Sequence, residues 1–294
     1  MFIFVYSLTP NYIIMHFNKE KFQLAWVPFK LVCYFFLYQL LCTYGFQLLF
    51  HALNIGGNHA TIYASAVALV VSGLLMIAHL LFFRYASFKS EGGSFTSFKT
   101  ILLCLPLVIA SLLASNIIGE LLELPNIYED LFYSLSRNVF GFLSIALIAP
   151  IAEEMVFRGA ILRELLSRFQ RQWHWLPILI SAVLFGAIHG NWAQFVHATL
   201  LGVLLGWMYY RTGSILPSIV GHVLNNTVSV SVMATSPIED MSKTTVETIG
   251  LTATWLLLIA CIAIAILSFL YLNKRLPASP FNENENVNMN LNQE

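Results

Sequence analysis

Apolar residues run along this chain in blocks of helical length, separated by short clusters of charge. Eight stretches read as candidate membrane helices: 26–50, 61–83, 101–118, 138–168, 175–190, 194–210, 215–234 and 250–272. A spanning helix needs roughly 20 apolar residues. The fifth and sixth are short, and "HGNWA" (189–193) is the only break between them. Read as one undivided helix they would run about 52 Å at 1.5 Å per residue, too long for a bilayer. Two helices are therefore predicted there. The expected fold is all-α, a polytopic membrane helix bundle of about eight transmembrane helices.

Composition agrees. Of 294 residues, 58% are hydrophobic and 10% charged, and the mean hydropathy is +0.73. Soluble domains carry about a quarter charged residues, so the chain reads as an integral, multi-pass membrane protein whose first partner is the lipid bilayer. Net charge is zero, and no basic or acidic block suggests a nucleic-acid partner. Cys33, Cys42, Cys104 and Cys261 sit in apolar runs with no CxxC or CxH spacing, which reads as free thiols.

Loop charge alternates. Lys19, Lys21 and Lys30 flank the first helix, Arg84, Lys89 and Lys99 the second connection, Arg163, Arg168 and Arg171 the fourth, Arg211 the sixth, and Lys274 with Arg275 follow the eighth. The intervening connections hold only Arg137 and Lys243 among acids such as Glu120, Glu123, Glu129 and Asp130. The positive-inside rule then expects both termini in the cytoplasm, in a cell inner or plasma membrane. Residues 1–14 lack a basic n-region and a small-residue cleavage site, so they make a poor signal peptide. They are expected to be dispensable, with Met15 of "MHFNKEKF" as an alternative start. Four regions follow: N-terminal membrane helices and an acidic loop (1–137), a polar helical core (138–234), a last loop and helix (235–273), and an Asn/Glu-rich cytoplasmic tail expected to be disordered (274–294). No internal repeat is evident, which weighs against a transporter built from two related halves.

The core region carries polar side chains where hydrocarbon should forbid them: Glu153, Glu154, Arg158, His189, His197, His222, Asn225 and Asn226. An ionised carboxylate at mid-bilayer costs roughly 2.5–3.5 kcal/mol on insertion scales, so such groups mark function by default. Glu154 and Arg158 are i,i+4 and can pair; Glu153, turned by about 100°, has no such partner on its own helix. Phe185 and His189 share one helical face, as do His222 and Asn226. Asn225 points elsewhere and reads as a helix-to-helix hydrogen bonder. His197, after the "HGNWAQ" turn, is expected near the interface and outside the site. At 1.5 Å per residue, Glu153, His189 and Asn226 stand about 24, 21 and 16 Å above their helix ends, near a common level. That convergence requires a long fourth helix running on to about Phe169. Pro150, one turn before Glu153, should kink or loosen it. Gly186-x-x-x-Gly190 and Gly202-x-x-x-Gly206 allow close helix approach.

Three segments, "EEMVFR", "FGAIH" and "HVLNN", match EExxxR, FxxxH and HxxxN patterns in that order. Together they resemble the CPBP family of CAAX-protease and bacteriocin-processing (Abi) intramembrane proteases, which includes the type II CAAX prenyl endopeptidases. The resemblance covers about residues 138–232, and no motif position departs from the pattern. It implies an intramembrane endopeptidase acting on membrane-associated proteins or peptides, lipidated in the prenyl endopeptidase branch. Glu153 would be the catalytic carboxylate, His189 its partner, His222 and Asn226 the second polar pair, with Glu154, Arg158 and Phe185 in support.

Peptide hydrolysis needs an activated water, oxyanion stabilisation and a proton for the leaving amine. Glu153 with His189 suits the first task, and His222 with Asn226 the second; this version needs no cofactor. A zinc version stays open, with Glu153, His189 and His222 as ligands and a water in the fourth position. Against it, HExxH is absent and Asn226 is a poor zinc ligand. Two other classes could use the same polar cluster: a non-catalytic bacteriocin-immunity or scaffold protein, and a proton-coupled transporter.

Overall fold

The structure is a computed structural model describing residues 19–91, 93, 96–237, 243–276 and 279–282, with side chains described from Trp26 onward except at position 58. The readings for residues 1–14, for Met15 and for 283–294 of the tail fall outside the described residues. Every secondary-structure element among them is helical.

We number the helices α1 (Lys19–Ala52), α2 (Ala60–Phe82), α3 (Phe98–Leu121), α4 (Glu129–Ser136), α5 (Val139–Arg168), α6 (Trp175–Ala187), α7 (Trp192–Thr212), α8 (Leu216–Thr235), α9 (Thr245–Ile249) and α10 (Leu251–Arg275). All eight apolar stretches of the sequence fall on helices, and α4 and α9 are short extras in the acidic connections. Five helices are long and apolar enough to cross a membrane by length and composition: α1 from Trp26, α2, α3, α5 and α10. The expected eight spans are therefore not all met by that measure. With 13 residues, α6 reaches only about 20 Å, short of a hydrocarbon core of about 30 Å. The other two have the length, but their polar residues dilute the hydropathy: His197 on α7, and His222, Asn225 and Asn226 on α8.

The chain is an integral membrane protein. Large apolar side chains such as Leu48, Phe82, Leu256 and Leu267 are exposed on α1, α2 and α10, faces that lipid rather than water would cover. Two antiparallel hairpins, α1–α2 and α6–α7, flank α5, α8 is laid against it, and the α3–α10 pair packs through α3 onto α7 and α8. The whole stretch Met155–Leu162 is buried, so α5 is the axis of the bundle.

Capping explains the boundaries around this axis. Asn138 opens α5, its Oδ1 accepting from the N–H of Phe140 (2.9 Å) and Gly141 (3.2 Å). Within α5 the hydrogen-bond ladder widens to π geometry at Ser144–Ile148 and again at Met155–Leu162. Pro150 accounts for the first, since it has no N–H to continue the α pattern; the loosening expected there takes the form of a π turn. Helix α6 ends at Ala187 because Gly190 adopts φ +62°, a left-handed turn that glycine tolerates best. Asn191 then caps α7, its Oδ1 accepting from Ala193 N–H at 3.3 Å. The "HGNWA" break is thus one stop signal followed by one start signal.

At one end the basic residues gather. Arg211 bonds the Asn273 side chain and the carbonyls of Asn273 (3.0 Å) and Leu276 (2.9 Å), and Arg163 pairs with Glu91 at 3.1 Å. The expected disordered tail begins with ordered residues. Lys274 and Arg275 complete α10, Ser279 donates to the Tyr210 carbonyl (2.6 Å), and Phe281 stacks near Tyr209 and Tyr210. Aromatic packing outweighs the polar composition there.

Candidate active site

Glu154 and Arg158 lie one turn apart on α5, both 0% exposed. Arg158 Nη1 donates to Glu154 Oε1 at 2.7 Å, and Nη2 donates to the Gly202 carbonyl of α7 at 3.2 Å. The guanidinium stands 4.7 Å from the centre of the Phe185 ring on α6. Gly202 permits this approach: a side chain there would meet the backbone of Ala182, whose Cα lies 3.0 Å from the place a Cβ would take. One cation therefore ties α5, α6 and α7 together at the level of the two glutamates.

The pair holds more than itself. His222, on α8 and 3% exposed, donates from Nδ1 to the same Glu154 Oε1 at 2.8 Å. A carboxylate has no hydrogen to give, so the ring must carry its proton on Nδ1. His222 Nε2 then faces Glu153, 3.7 Å from Oε2, beyond hydrogen-bond range. Glu153 itself is 13% exposed at the side chain. The division of labour expected from spacing, one carboxylate tied and one free, appears in the packing.

His189 follows the end of α6 at Ala187 and lies in the turn that Gly190 completes. Its Nδ1 donates to the Phe185 carbonyl at 2.9 Å, satisfying an end-of-helix acceptor and leaving Nε2 as the free ring nitrogen. Phe185 meets both imidazoles edge-on, at 5.2 Å to His189 and 5.5 Å to His222. On α8, Asn226 Nδ2 donates to the Ile145 carbonyl at 3.0 Å. That carbonyl lies in the first π turn, where Ala149 N–H goes to Ser144 and Pro150 has no hydrogen to offer. The Asn226 amide fills the place of the missing donor.

Glu153, Phe185, His189, His222 and Asn226 line one cavity of about 390 Å³. Glu154 and Arg158 sit behind its wall. A larger cavity, about 1000 Å³, lies elsewhere, at the basic end beside Arg171, His174 and Arg211. The smaller one holds the motif side chains, Glu153, His189, His222 and Asn226. Two residues that sequence reading kept apart from the site also line it: His197 and Asn225. His197 is bound on both ring nitrogens, to Ser115 Oγ (2.9 Å) and to Asn225 Oδ1 (3.3 Å). Its spacing of three from Gln194, another lining residue, is the signal that marked its face. Asn126 and Gln39 line the cavity too, from a loop and from α1, where no motif pointed.

The donor types suit a divalent ion, since two imidazoles with Nδ1 held from behind and a carboxylate are common ligands. Their spacing does not. Among the described residues, no three His, Cys, Asp or Glu side chains gather closely enough to hold one metal ion.

A carboxylate from α5, an imidazole beside α6 and an imidazole–amide pair from α8, held around one hollow within an apolar bundle, is the arrangement that three short motifs had suggested. Residues 135–228 match the family model of Rce1-like type II CAAX prenyl endopeptidases. This Rce1-like segment contains all seven motif residues named above, and it is about a third of the chain. Over 95 residues the chain is 30% identical to "Putative membrane peptidase YdiL" of Bacillus subtilis (strain 168). That likeness covers 32% of this chain and 37% of the relative, so the chain spans well under half of the curated protein it matches. No solved structure matches the chain significantly. The helices outside the Rce1-like segment, α1 to α3 and α10, supply its packing partners.

Proposed function

We propose that the protein is an intramembrane endopeptidase of the CAAX-protease kind, hydrolysing membrane-associated proteins or peptides with a water activated by Glu153. The observation that carries this reading is the shared cavity, whose lining joins a carboxylate with no hydrogen bond among the described residues to two imidazoles whose Nδ1 atoms are already committed.

In the proposed reaction, a water held between Glu153 and His189 Nε2 gives a proton to the Glu153 carboxylate as its oxygen bonds the scissile carbonyl carbon. The carbonyl π electrons move to oxygen, and that oxyanion takes hydrogen bonds from Asn226 Nδ2 and from a protonated His222 Nε2. Glu154 matters here because its Oε1 holds His222 Nδ1–H and so fixes the direction in which Nε2 points. Arg158 balances Glu154. As the tetrahedral intermediate collapses, the C–N bond breaks and the proton on Glu153 passes to the leaving amine. The products are a carboxylic acid and an amine, and Glu153 returns to its carboxylate form. No step is routed through a metal.

The cavity wall is mixed: Leu69, Phe132, Leu201, Val230 and Met233 alongside amides and imidazoles. Apolar side chains beside a polar centre suit an extended peptide with a hydrophobic anchor, so a lipidated C-terminal peptide is the first substrate class to try. Purified protein in lipid vesicles is given two quenched-fluorescence peptides, one farnesylated on a CAAX cysteine and one without the lipid. Cleavage by the parent protein and loss of it in Glu153→Gln support the reading. Equal turnover by parent and Glu153→Gln removes Glu153 as base, and no cleavage of either peptide by folded protein favours a non-catalytic role.

A further inference from the structure

Asn226 carries its oxyanion-facing amide in one of two possible flips, and a chain of hydrogen bonds across four helices decides which. The Ile145 carbonyl at one end can only accept, so Asn226 must present Nδ2 to it (3.0 Å). Asn226 Oδ1 is thereby turned to Asn225, which must answer with its Nδ2 (2.7 Å). Asn225 Oδ1 then faces His197 Nε2 (3.3 Å), which must carry a hydrogen. In a neutral ring that leaves Nδ1 bare, and Ser115 Oγ, 2.9 Å away, gives it a hydrogen. The same hydroxyl is 3.1 Å from the Leu112 carbonyl, an acceptor its own helix can serve. Polarity thus runs one way from α3 through α7 and α8 to the π turn of α5.

The consequence is a tautomer opposite to that of the other two cavity histidines. His189 and His222 are held with hydrogen on Nδ1, by a carbonyl and a carboxylate; His197 is held with hydrogen on Nε2. We propose that His197 is a positioning residue that, through Asn225, reinforces the flip the Ile145 carbonyl imposes on the Asn226 amide and so keeps its second N–H aimed into the cavity. The part played in catalysis rests on Asn226 as oxyanion donor; the tautomer and the amide flip rest on the hydrogen-bond chain alone. A ring without the Nε2 hydrogen would leave Asn225, and then Asn226, free to turn an oxygen toward the developing negative charge.

The test has two arms. In 15N-histidine-labelled protein in lipid vesicles, with His197 assigned by comparison with His197→Gln, the expected NMR signature is a protonated Nε2 and a bare Nδ1. Asn225→Leu should abolish that preference. A neutral His197 protonated on Nδ1, or one indifferent to Asn225→Leu, overturns the proposal. In the second arm the farnesylated reporter peptide is used. His197→Phe should lower kcat about tenfold, a fraction of the roughly 10²- to 10³-fold worth of an oxyanion donor, with KM within about twofold. His197→Gln, which still has a donor of similar reach, should recover most of that loss, and His197→Phe should have no further effect in an Asn226→Ala background. Parental kcat in His197→Phe, or an effect that multiplies with Asn226→Ala, overturns it. Should His197→Phe fail to fold, His197→Gln and Asn225→Leu carry the comparison. A parent that cleaves no reporter strikes the peptidase reading, and the tautomer then decides the positioning.

Discussion

His222 and Glu154, 68 residues apart in sequence, are joined by a 2.8 Å hydrogen bond at the same carboxylate oxygen that Arg158 holds at 2.7 Å. A carboxylate that spacing assigns to an arginine on its own helix is therefore also the anchor of an imidazole on α8. The buried ion pair does two jobs, locking α5 to α7 and fixing the ring that lies against Glu153.

Removing Arg158 tests the first job. With Glu154 fully buried and its other oxygen without a hydrogen-bond partner among the described residues, Arg158→Ala should destabilise the protein by about 3–5 kcal/mol, the usual cost of stripping one partner from a buried pair. The double variant Glu154→Leu/Arg158→Met should recover much of that stability and none of the activity, because His222 then has no Nδ1 acceptor. Thermal unfolding in detergent and reporter cleavage read the two effects separately.

Glu153 should separate the other way. It makes no hydrogen bond among the described residues, so Glu153→Gln is expected to stay within about 0.5 kcal/mol in stability. A positioned general base is worth about 10²- to 10⁴-fold, and turnover should fall by that much. Unchanged unfolding with a large loss of kcat is the result to look for.

Asn226 sits between these cases. Asn226→Ala removes an oxyanion donor, about 10²- to 10³-fold in kcat, and leaves the Ile145 carbonyl unmet at the Pro150 turn. An unsatisfied buried acceptor costs about 1–3 kcal/mol. Asn226→Asp offers no hydrogen to that carbonyl and should be at least as unstable, which unfolding midpoints would register.

Phe185 is the hub on which the site rests: its face takes the Arg158 guanidinium, and both imidazoles stand perpendicular to its ring. Phe185→Ala should cost about 3–5 kcal/mol as a core truncation. Phe185→Leu should keep more of the fold yet lose the cation–π contact, worth about 2 kcal/mol where desolvated, and both variants should show reduced turnover.

Metal chemistry has its own check. Prolonged treatment with 1,10-phenanthroline and EDTA should leave reporter cleavage unchanged, and elemental analysis should find less than one zinc per chain. Loss of turnover restored by added zinc would replace the metal-free mechanism.

The motifs were legible because helical periodicity fixes what one helix presents. Glu154 with Arg158 and His222 with Asn226 follow from i,i+4 spacing, and a long α5 reaching Arg168 follows from the amphipathic run after the motif. His189 meets Phe185 as its spacing suggests, but from the turn after Ala187 that Gly190 at φ +62° completes rather than from the helix itself. Pro150 announced a weakened helix, but not that the orphaned carbonyl would be met from α8. His197 was set aside because its neighbours in sequence are interfacial, whereas its partners, Ser115 and Asn225, come from two other helices.

By itself the sequence determined that this is a helical membrane protein, where its main helices lie, and which few polar residues must be shielded from lipid. Those properties are local: hydropathy, periodicity, capping and the cost of charge in hydrocarbon act within a turn or two of each residue. Only the tertiary structure decided which carboxylate oxygen holds which ring nitrogen, which histidines line the cavity, and which way each amide is turned. Hydrogen-bond direction between helices depends on acceptors tens of residues away, and a backbone carbonyl freed by a proline can set it for a whole chain of side chains.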